Sequence, residues 1–376
     1  MKPGDHVYFI GIGGARLSAL AKILLESGYR VSGSDRTRSR NTTELGKKGI
    51  KIHYGHDEQQ ITDEIDVVVY TNAVGEDNPE LLKAREMKLP IYEGAELLGL
   101  LMKEKGVGIA VAGTHGKTTT TAMIALLLIE GGKDPTVEVG GEMKELVGNY
   151  RTGKGPYFVV EACEFRRSFL YLSPKIAVIT NVDWDHPDCF PTAGDVVRTF
   201  QEFISLVPPD GKVVCWRDDP NFPELAAAAR APLRTFGLSS EADWSCQQIE
   251  RCAPLGIKGR LFHAGQEVGE LKLNVPGEYN ILNALAAVAT VAEVGVPVSD
   301  ALVFLQEFTG VRRRFEVKGE AGGVIVVDDY AHHPRAVKNI LKAAREQFSG
   351  RIWCVFQPHL YSRTKYLFDD FAQAFR

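Results

Sequence analysis

The chain has 376 residues, 44% of them hydrophobic and 24% charged, with a formal net charge of −4, which together predict two or three globular domains. The slight negative charge does not favour a nucleic-acid surface, and no apolar run reaches the ~18 residues that a membrane span needs. An absent apolar leader and six scattered cysteines without a CxxC pair favour a cytoplasmic protein with reduced thiols.

The first hundred residues alternate short β-rich runs with amphipathic runs, which predicts βαβ units around a parallel sheet. The first β-rich run ends in a glycine loop, Gly11, Gly13 and Gly14, and Asp35 closes the next run. This spacing fits a turn around a diphosphate, with the carboxylate near a ribose. Arg16 replaces the third glycine of the usual fingerprint. It either points away into solvent or faces the bound phosphates, and we favour the second.

A charged hinge is predicted at residues 102–108, followed by a strand, a second glycine loop and a long helix. This loop departs from the strict Walker pattern because Val111 occupies the position of its first glycine. Backbone N–H groups and the helix N-terminus would still bind phosphate, with Lys117 at the β/γ-phosphates and Thr118 on Mg²⁺. The predicted phosphate-binding residues are Gly113, Thr114, His115, Gly116, Lys117, Thr118 and Thr119.

Two later β-rich runs end in side chains that suit a metal ion. Glu161 and Glu164 follow the first of these runs, and Asp183, Asp185 and His186 follow the second. In a parallel sheet that carries a phosphate-binding loop, ligands gather beyond the carboxyl ends of the strands. A carboxylate and an imidazole from these groups could hold a second Mg²⁺ next to the γ-phosphate.

The last third of the chain predicts further elements. Short alternating strands are expected around residues 232–262, as a small β-rich insertion or an edge sheet. The basic cluster 312–314 is either a solvated hinge or a phosphate contact. Strand–loop–helix units are predicted from 324 and from 351, the second with the strand "RIWCVF". Only 64 residues follow Arg312, so the third domain is expected to be incomplete.

Taken together, these motifs resemble those of the Mur ligases, in the order that this family has them, over the whole chain. The resemblance implies an α/β fold of three domains. These are a Rossmann-like N-terminal domain for a UDP-sugar, a central P-loop ATPase domain and a Rossmann-like C-terminal domain, here apparently truncated, over residues 1–104, 105–312 and 313–376. The segments that carry the resemblance are "GIGG…LSALA", "GTHGKTTTT", "TNVDWDH", "PGEYNILNALAA", "GVRRRFE", "DDYAHHP" and "FQPHLYSRT".

The resemblance also implies an activity. Such a ligase would use ATP to activate the lactyl carboxylate of UDP-N-acetylmuramate as an acyl phosphate, which the amine of L-alanine then attacks to form an amide. This step belongs to peptidoglycan precursor synthesis, and hence to cell-wall formation, cell shape and division. Two Mg²⁺ ions are implied, for which Mn²⁺ could substitute.

By the same resemblance, residues of this chain acquire expected roles. Lys117, Glu161 and His186 would be catalytic, with Thr118 holding the first metal ion and Glu161 and His186 the second. His115 would lie near the UDP-sugar, which the first loop binds through its glycines, Arg16 and Asp35. The ATP site would add Asn280, Asn283, Arg314 and Asp329, and the amino-acid pocket would comprise Tyr330, His332 and Arg363.

The chain departs from the family pattern at two segments, residues 161–169 and the "FQPHLYSRT" segment. Cys163 and Arg166 stand where many relatives have acids, so no role is assigned to acids there. Leu360 replaces an arginine, which leaves binding of the amino-acid carboxylate to Arg363.

Four alternatives remain open from the sequence. They are a recycling ligase that adds a whole peptide to the same UDP-sugar, a folylpolyglutamate synthase, a nucleotide-binding protein without turnover, and an NAD-linked dehydrogenase. The first glycine loop argues against the first two, because recycling ligases carry a variant loop and the synthase has no N-terminal Rossmann-like domain.

Overall fold

The structure, a computed structural model, describes residues 1–146 and 148–376. Its N-terminal part is a parallel sheet with strand order β3-β2-β1-β4-β5, as the alternating runs predict. The strands are β1 (His6–Ile10), β2 (Arg30–Asp35), β3 (Lys51–Tyr54), β4 (Val67–Tyr70) and β5 (Ile91–Glu93). The helices are α1 (Ala15–Glu26), α2 (Arg40–Lys47), α3 (Pro79–Glu86) and α4 (Gly94–Lys105), with a 3₁₀ turn at Glu58–Gln60.

The central part is a larger sheet with strand order β15-β14-β13-β12-β11-β10-β6-β9-β7-β8. Its strands are β6 (Val107–Ala112), β7 (Thr136–Met143), β8 (Gly148–Arg151), β9 (Tyr157–Glu161), β10 (Ile176–Ile179), β11 (Lys212–Trp216), β12 (Leu233–Gly237), β13 (Trp244–Arg251), β14 (Ile257–His263) and β15 (Gln266–Leu273). Its helices are α5 (Lys117–Glu130), α6 (Ala193–Ser205), α7 (Phe222–Ala228), α8 (Glu278–Ala292) and α9 (Val298–Phe304), with 3₁₀ turns at Phe165–Tyr171 and Leu305–Glu307.

The middle of this sheet is parallel, and both edges are antiparallel. The predicted β-rich insertion is therefore an edge of the central sheet, since β12 continues it and β13 to β15 extend it. Helices α5 and α8 are almost entirely buried in one core on the sheet, which holds the start of α5 in a fixed position.

The predicted hinge at residues 102–108 is wrong. Met102 lies inside α4 and is 1% exposed, and only Gly106 separates α4 from β6. The reason is packing: a Cβ on Gly108 would lie 2.3 Å from Met102 Cγ, so the end of the helix is pressed against the start of the strand. Residues of both sheets, including Phe9 on β1 and Phe158 on β9, share one apolar core.

The C-terminal part contains an antiparallel hairpin, two consecutive short helices and one longer helix. These elements are β16 (Glu316–Ala321), β17 (Val324–Asp328), α10 (Pro334–Gln347), α11 (Tyr361–Tyr366) and α12 (Phe368–Ala374). The predicted strand at "RIWCVF" does not form, since nothing in the described residues pairs with it, and an unpaired strand leaves its backbone groups without partners. Trp353 and Val355 are accordingly 81% and 99% exposed. Among the described helices, none is both long and apolar enough to span a membrane.

Candidate functional site

The second glycine loop joins β6 to α5 and leaves the start of the helix open. In the described part of the chain, no side chain caps α5, so its first N–H groups are free to bind an anion. Gly116 has φ of 83°, and a Cβ there would lie 2.4 Å from Asn283 Oδ1. Glycine is therefore required here by both the backbone and the contact with α8.

Lys117, the first residue of α5, points back into the loop. Its Nζ donates to the Gly113 carbonyl at 2.5 Å and to the two carboxylate oxygens of Glu164 at 3.1 and 2.9 Å. Burial alone would lower the pKa of Lys117, but Glu164 raises it above its usual value, so the lysine is charged. Glu164, predicted as a metal ligand candidate, pairs instead with the lysine that is predicted to bind phosphate.

Oxygen atoms that could bind a metal ion lie beside this lysine. Thr118 Oγ1 donates to Glu161 Oε2 at 2.9 Å, and the Gly140 N–H donates to the same oxygen at 2.9 Å. Arg314 donates to Thr118 Oγ1 at 3.2 Å. A hydroxyl and a carboxylate in contact at a phosphate loop fit Mg²⁺, which prefers oxygen ligands.

His186 supplies a further possible metal ligand, its Nδ1 atom, in the same region. Its backbone has φ of 54°, and its Nδ1 is buried without a hydrogen-bond partner among the described residues. Both His186 and Glu161 line a cavity of about 490 Å³. Residues 114–119, which belong to the second glycine loop and the start of α5, line the same cavity, and this loop is called the P-loop below. An unpartnered buried nitrogen fits a ligand atom of a metal ion, and metal binding by His186 stays a prediction.

Part of the lining of this cavity is suited to a nucleotide base. Its walls include the apolar side chains of Trp216, Phe236 and Leu238. Asn280 and Asn283 are buried on α8 and hydrogen-bonded to each other at 3.1 Å. Polar amides beside apolar walls are what a purine ring needs for orientation and burial.

Side chains from the C-terminal part close the cavity. Asp329 accepts from the N–H groups of Phe315 and Ala331 at 2.7 and 2.6 Å, so it shapes its own loop, and burial raises its pKa. The Tyr330 ring has the guanidinium of Arg314 5.6 Å from its centroid. Burial lowers the pKa of His332 to about 4, so this imidazole is neutral near pH 7.

Arg363 does not face an open pocket. It is 1% exposed, and its guanidinium donates to Asp185 Oδ1 at 2.7 Å and Oδ2 at 3.1 Å, and to the His359 carbonyl at 3.1 Å. It therefore fastens α11 to the loop after β10. An amino-acid carboxylate would have to exchange with Asp185, so the predicted role of Arg363 stays a prediction.

The first glycine loop is tightly closed on Asp35. The Gly13 N–H donates to Asp35 Oδ2 at 2.8 Å, and a Cβ on Gly13 would lie 2.7 Å from that oxygen. Gly11 has φ of 81°, and Gly14 immediately precedes α1. The loop thus has the shape of a phosphate turn, with Asp35 at the end of β2 as predicted.

Arg16 contacts two residues of the central sheet, and its predicted contact with bound phosphates stays a prediction. Its guanidinium donates to the Glu161 carbonyl at 3.1 Å, and its Nε lies 3.7 Å from Glu138 Oε1 on β7. Arg16 therefore joins the first loop to the backbone of a predicted metal ligand. Burial raises the pKa of Glu138 to about 7 even though Arg16 lowers it.

Arg16→Gly is expected to destabilise the protein by about 1–3 kcal/mol at pH 8, because the buried Glu138 carboxylate then loses its cation. The effect is smaller than for a fully buried pair, since the Arg16 side chain is 29% exposed. Urea unfolding measures it. The double variant Arg16→Gly/Glu138→Val should recover most of the loss, and equal instability of the two variants would contradict this pairing.

Two contributors were not predicted from the sequence. Asn181 accepts from the His115 N–H at 3.0 Å and donates to the His115 carbonyl at 2.9 Å, so it holds the P-loop from the end of β10. Glu138 is the partner of Arg16. The available signals were a polar residue two positions after a buried strand and an acid inside the apolar run "TVEV".

Comparison with known proteins gives matches over the whole chain. Three family models match: "Mur ligase family, catalytic domain" over residues 6–105, "Mur ligase middle domain" over 111–291 and "Mur ligase, glutamate ligase domain" over 313–376. UDP-N-acetylmuramate--L-alanine ligases of Caldanaerobacter subterraneus subsp. tengcongensis and Acetivibrio thermocellus are each 46% identical to this chain. These alignments cover 98% and 99% of the chain, and 80% and 79% of the relatives.

Solved structures that are similar to this chain include two ligases with related names. The UDP-N-acetylmuramate-alanine ligase of Thermotoga maritima aligns with a TM-score of 0.84 and 34% identity, over 99% of this chain and 83% of that one. A murein peptide ligase of Psychrobacter arcticus aligns with a TM-score of 0.79 and 25% identity, over 99% and 82%.

Proposed function

Because the chain belongs to the Mur ligase family, we propose that it joins L-alanine to the lactyl carboxylate of UDP-N-acetylmuramate, with conversion of ATP to ADP and phosphate. The observation that carries this proposal is the 46% identity to UDP-N-acetylmuramate--L-alanine ligases over nearly the whole chain. We place the domains at residues 1–104, 105–312 and 313–376.

The two glycine loops divide the work between two phosphate-bearing substrates. In this proposal the loop from Gly11 to Gly14 binds the diphosphate of the UDP-sugar, and the P-loop binds ATP. Arg16 lies between them, and its contact with the Glu161 carbonyl supports a close approach of the two sites. One chain needs both loops because the carboxylate on the sugar must reach the γ-phosphate.

The residues around the cavity have distinct parts in this reaction. Bound Mg²⁺ would neutralise charge between the γ-phosphate and the approaching carboxylate, and Thr118, Glu161 and His186 are the residues that would hold it. Lys117 would exchange its contact with Glu164 for one with the phosphates. The C-terminal side chains Tyr330 and His332 would orient the amino acid and exclude water from the activated carboxylate.

A peptide-adding ligase is the second candidate, and the comparisons do not favour it. Among solved structures, the alanine ligase of Thermotoga maritima is 34% identical to this chain. The peptide ligases from Neisseria meningitides and Psychrobacter arcticus are 28% and 25% identical.

Phosphate release tests the proposal. With ATP and Mg²⁺, we expect release only when UDP-N-acetylmuramate and L-alanine are both present. Release with an L-alanyl peptide in place of L-alanine would favour the second candidate. Nucleotide binding without release would contradict a ligase function for this chain, and oxidation of NADH would contradict the whole scheme.

A further inference from the structure

Three metal-ligating side chains meet where α10 approaches the P-loop, apart from the oxygen donors around Thr118. They are His115 in the loop, Asp183 after β10 and His333 directly before α10, and their ligand atoms all lie within 4.8 Å of one another. His115 Nε2 is 3.6 Å from Asp183 Oδ2, and the His115 and His333 ring centroids are 4.7 Å apart. We propose that these side chains bind a divalent transition metal such as Zn²⁺, at a site separate from that of Mg²⁺.

The donor chemistry selects a transition metal. Burial, together with His115, lowers the pKa of His333 to about 4, so its imidazole is neutral near pH 7. Burial alone would raise the pKa of Asp183, but His115, Arg335 and His333 lower it to about 2, so its carboxylate is ionised. Two imidazoles and one carboxylate form a ligand set found in Zn²⁺ sites that keep a fourth position open, whereas Mg²⁺ prefers oxygen ligands.

His115 independently shows that a partner is missing. Its Nε2 is buried and makes no hydrogen bond with any described residue. Such an unpaired atom costs about 1–3 kcal/mol, and a bound metal ion removes this cost. The backbone of His115 is held in place, because its carbonyl accepts from Thr180 Oγ1 at 2.6 Å and from Asn181 Nδ2 at 2.9 Å.

The hydrogen-bond partners of the other two proposed ligands, Asp183 and His333, can be displaced. Arg335 donates to Asp183 Oδ2 at 3.1 Å, but its side chain is 48% exposed and can move into solvent. His333 Nε2 lies 3.3 Å from the Trp184 carbonyl, and His333 Nδ1 accepts from the Arg335 N–H at 3.3 Å. Both distances exceed those of good hydrogen bonds, so a metal–nitrogen bond can replace one of these contacts.

A metal ion at this site would tie α10 to the P-loop. His115 and Asp183 belong to the central part, whereas His333 belongs to the C-terminal part that closes the cavity. Binding should therefore stabilise this closed arrangement and raise the melting temperature. It should also slow any turnover that requires the arrangement to open, a consequence that rests on the proposed function.

Co²⁺ is the probe for the experiment, because its visible absorption reports nitrogen ligation. In excess Mg²⁺, we expect the full chain to bind one equivalent of Co²⁺ with visible absorption that Zn²⁺ removes. His333→Gln and His115→Ala should each weaken binding by about tenfold or more. The matched control is His263→Ala, because His263 stacks on Trp244 at 4.0 Å and should leave Co²⁺ binding unchanged.

Further variants make the outcome decisive. His333→Gln is the main test, since it leaves the P-loop intact, and circular dichroism checks that each variant is folded. If His186→Ala removes the absorption while His333→Gln keeps it, the ion occupies the Thr118–Glu161–His186 site and this proposal is wrong. Absence of the absorption from the folded wild type would also overturn it. Metal binding without phosphate release would count against the proposed function alone.

Discussion

Lys117→Ala is expected to reduce phosphate release from ATP by on the order of 10³-fold or more, with little change in affinity for UDP-N-acetylmuramate. Lys117 Nζ is the cation at the start of α5, directly inside the P-loop. The UDP-sugar is assigned to the separate loop that ends at Gly14. Steady-state phosphate release and equilibrium binding of the UDP-sugar measure the two effects. An equal loss of sugar affinity would contradict the assignment of the two loops to two substrates.

The same substitution leaves Glu164 without its partner, which requires a control. The Glu164 side chain is 3% exposed, so loss of Lys117 should destabilise the protein by about 3–5 kcal/mol. The double variant Lys117→Ala/Glu164→Gln removes the buried charge. It should recover much of the free energy of unfolding and none of the turnover. Recovered turnover would mean that Lys117 acts only through stability.

Asp185→Asn is expected to release the C-terminal part from the cavity. Both oxygens of Asp185 accept from Arg363, which is 1% exposed, so the variant leaves a buried guanidinium without its counter-charge. Breaking such a pair costs about 3–5 kcal/mol, which detachment of α11 avoids by exposing Arg363 to water. Limited proteolysis within residues 350–360 should therefore become much faster than in the wild type.

The control for this prediction is Asp188→Asn, at an exposed acid three residues further along the same loop. It should leave proteolysis unchanged. Unchanged proteolysis of Asp185→Asn itself would show that other contacts, such as those of His333, hold the C-terminal part.

The Asp185–Arg363 pair also predicts a pH dependence. Burial would raise the pKa of Asp185, but the hydrogen bonds from Arg363 lower it well below its usual range. A carboxyl with a lowered folded-state pKa contributes stability above about pH 4 and loses it as the pH falls further. The wild type should therefore become protease-sensitive on acidification. Asp185→Asn should lose this particular dependence.

Patterns in the sequence predicted the local elements well where the determinants are neighbours in the chain. The P-loop is one example, since two glycines, a lysine and a following apolar helix are all close in sequence. The predictions failed at residues 102–108 and at 351–356. In the first case a packing contact extends α4 almost to β6, and in the second a strand-like run has no described strand beside it. Neither the packing contact nor the lack of a described pairing partner for residues 351–356 can be read from local composition.

The sequence by itself determined the family, the α/β architecture, the two glycine loops and the acids and histidines at the strand ends. Only the tertiary structure decided which charges meet. Arg16 reaches Glu161 across 145 positions of chain, and Arg363 reaches Asp185 across 178. A buried charge requires a partner, but burial depends on how the sheets pack, so the partner follows from the fold and not from the neighbouring residues. This packing places Arg16, next to the first glycine loop, against Glu138 and the Glu161 carbonyl of the central sheet.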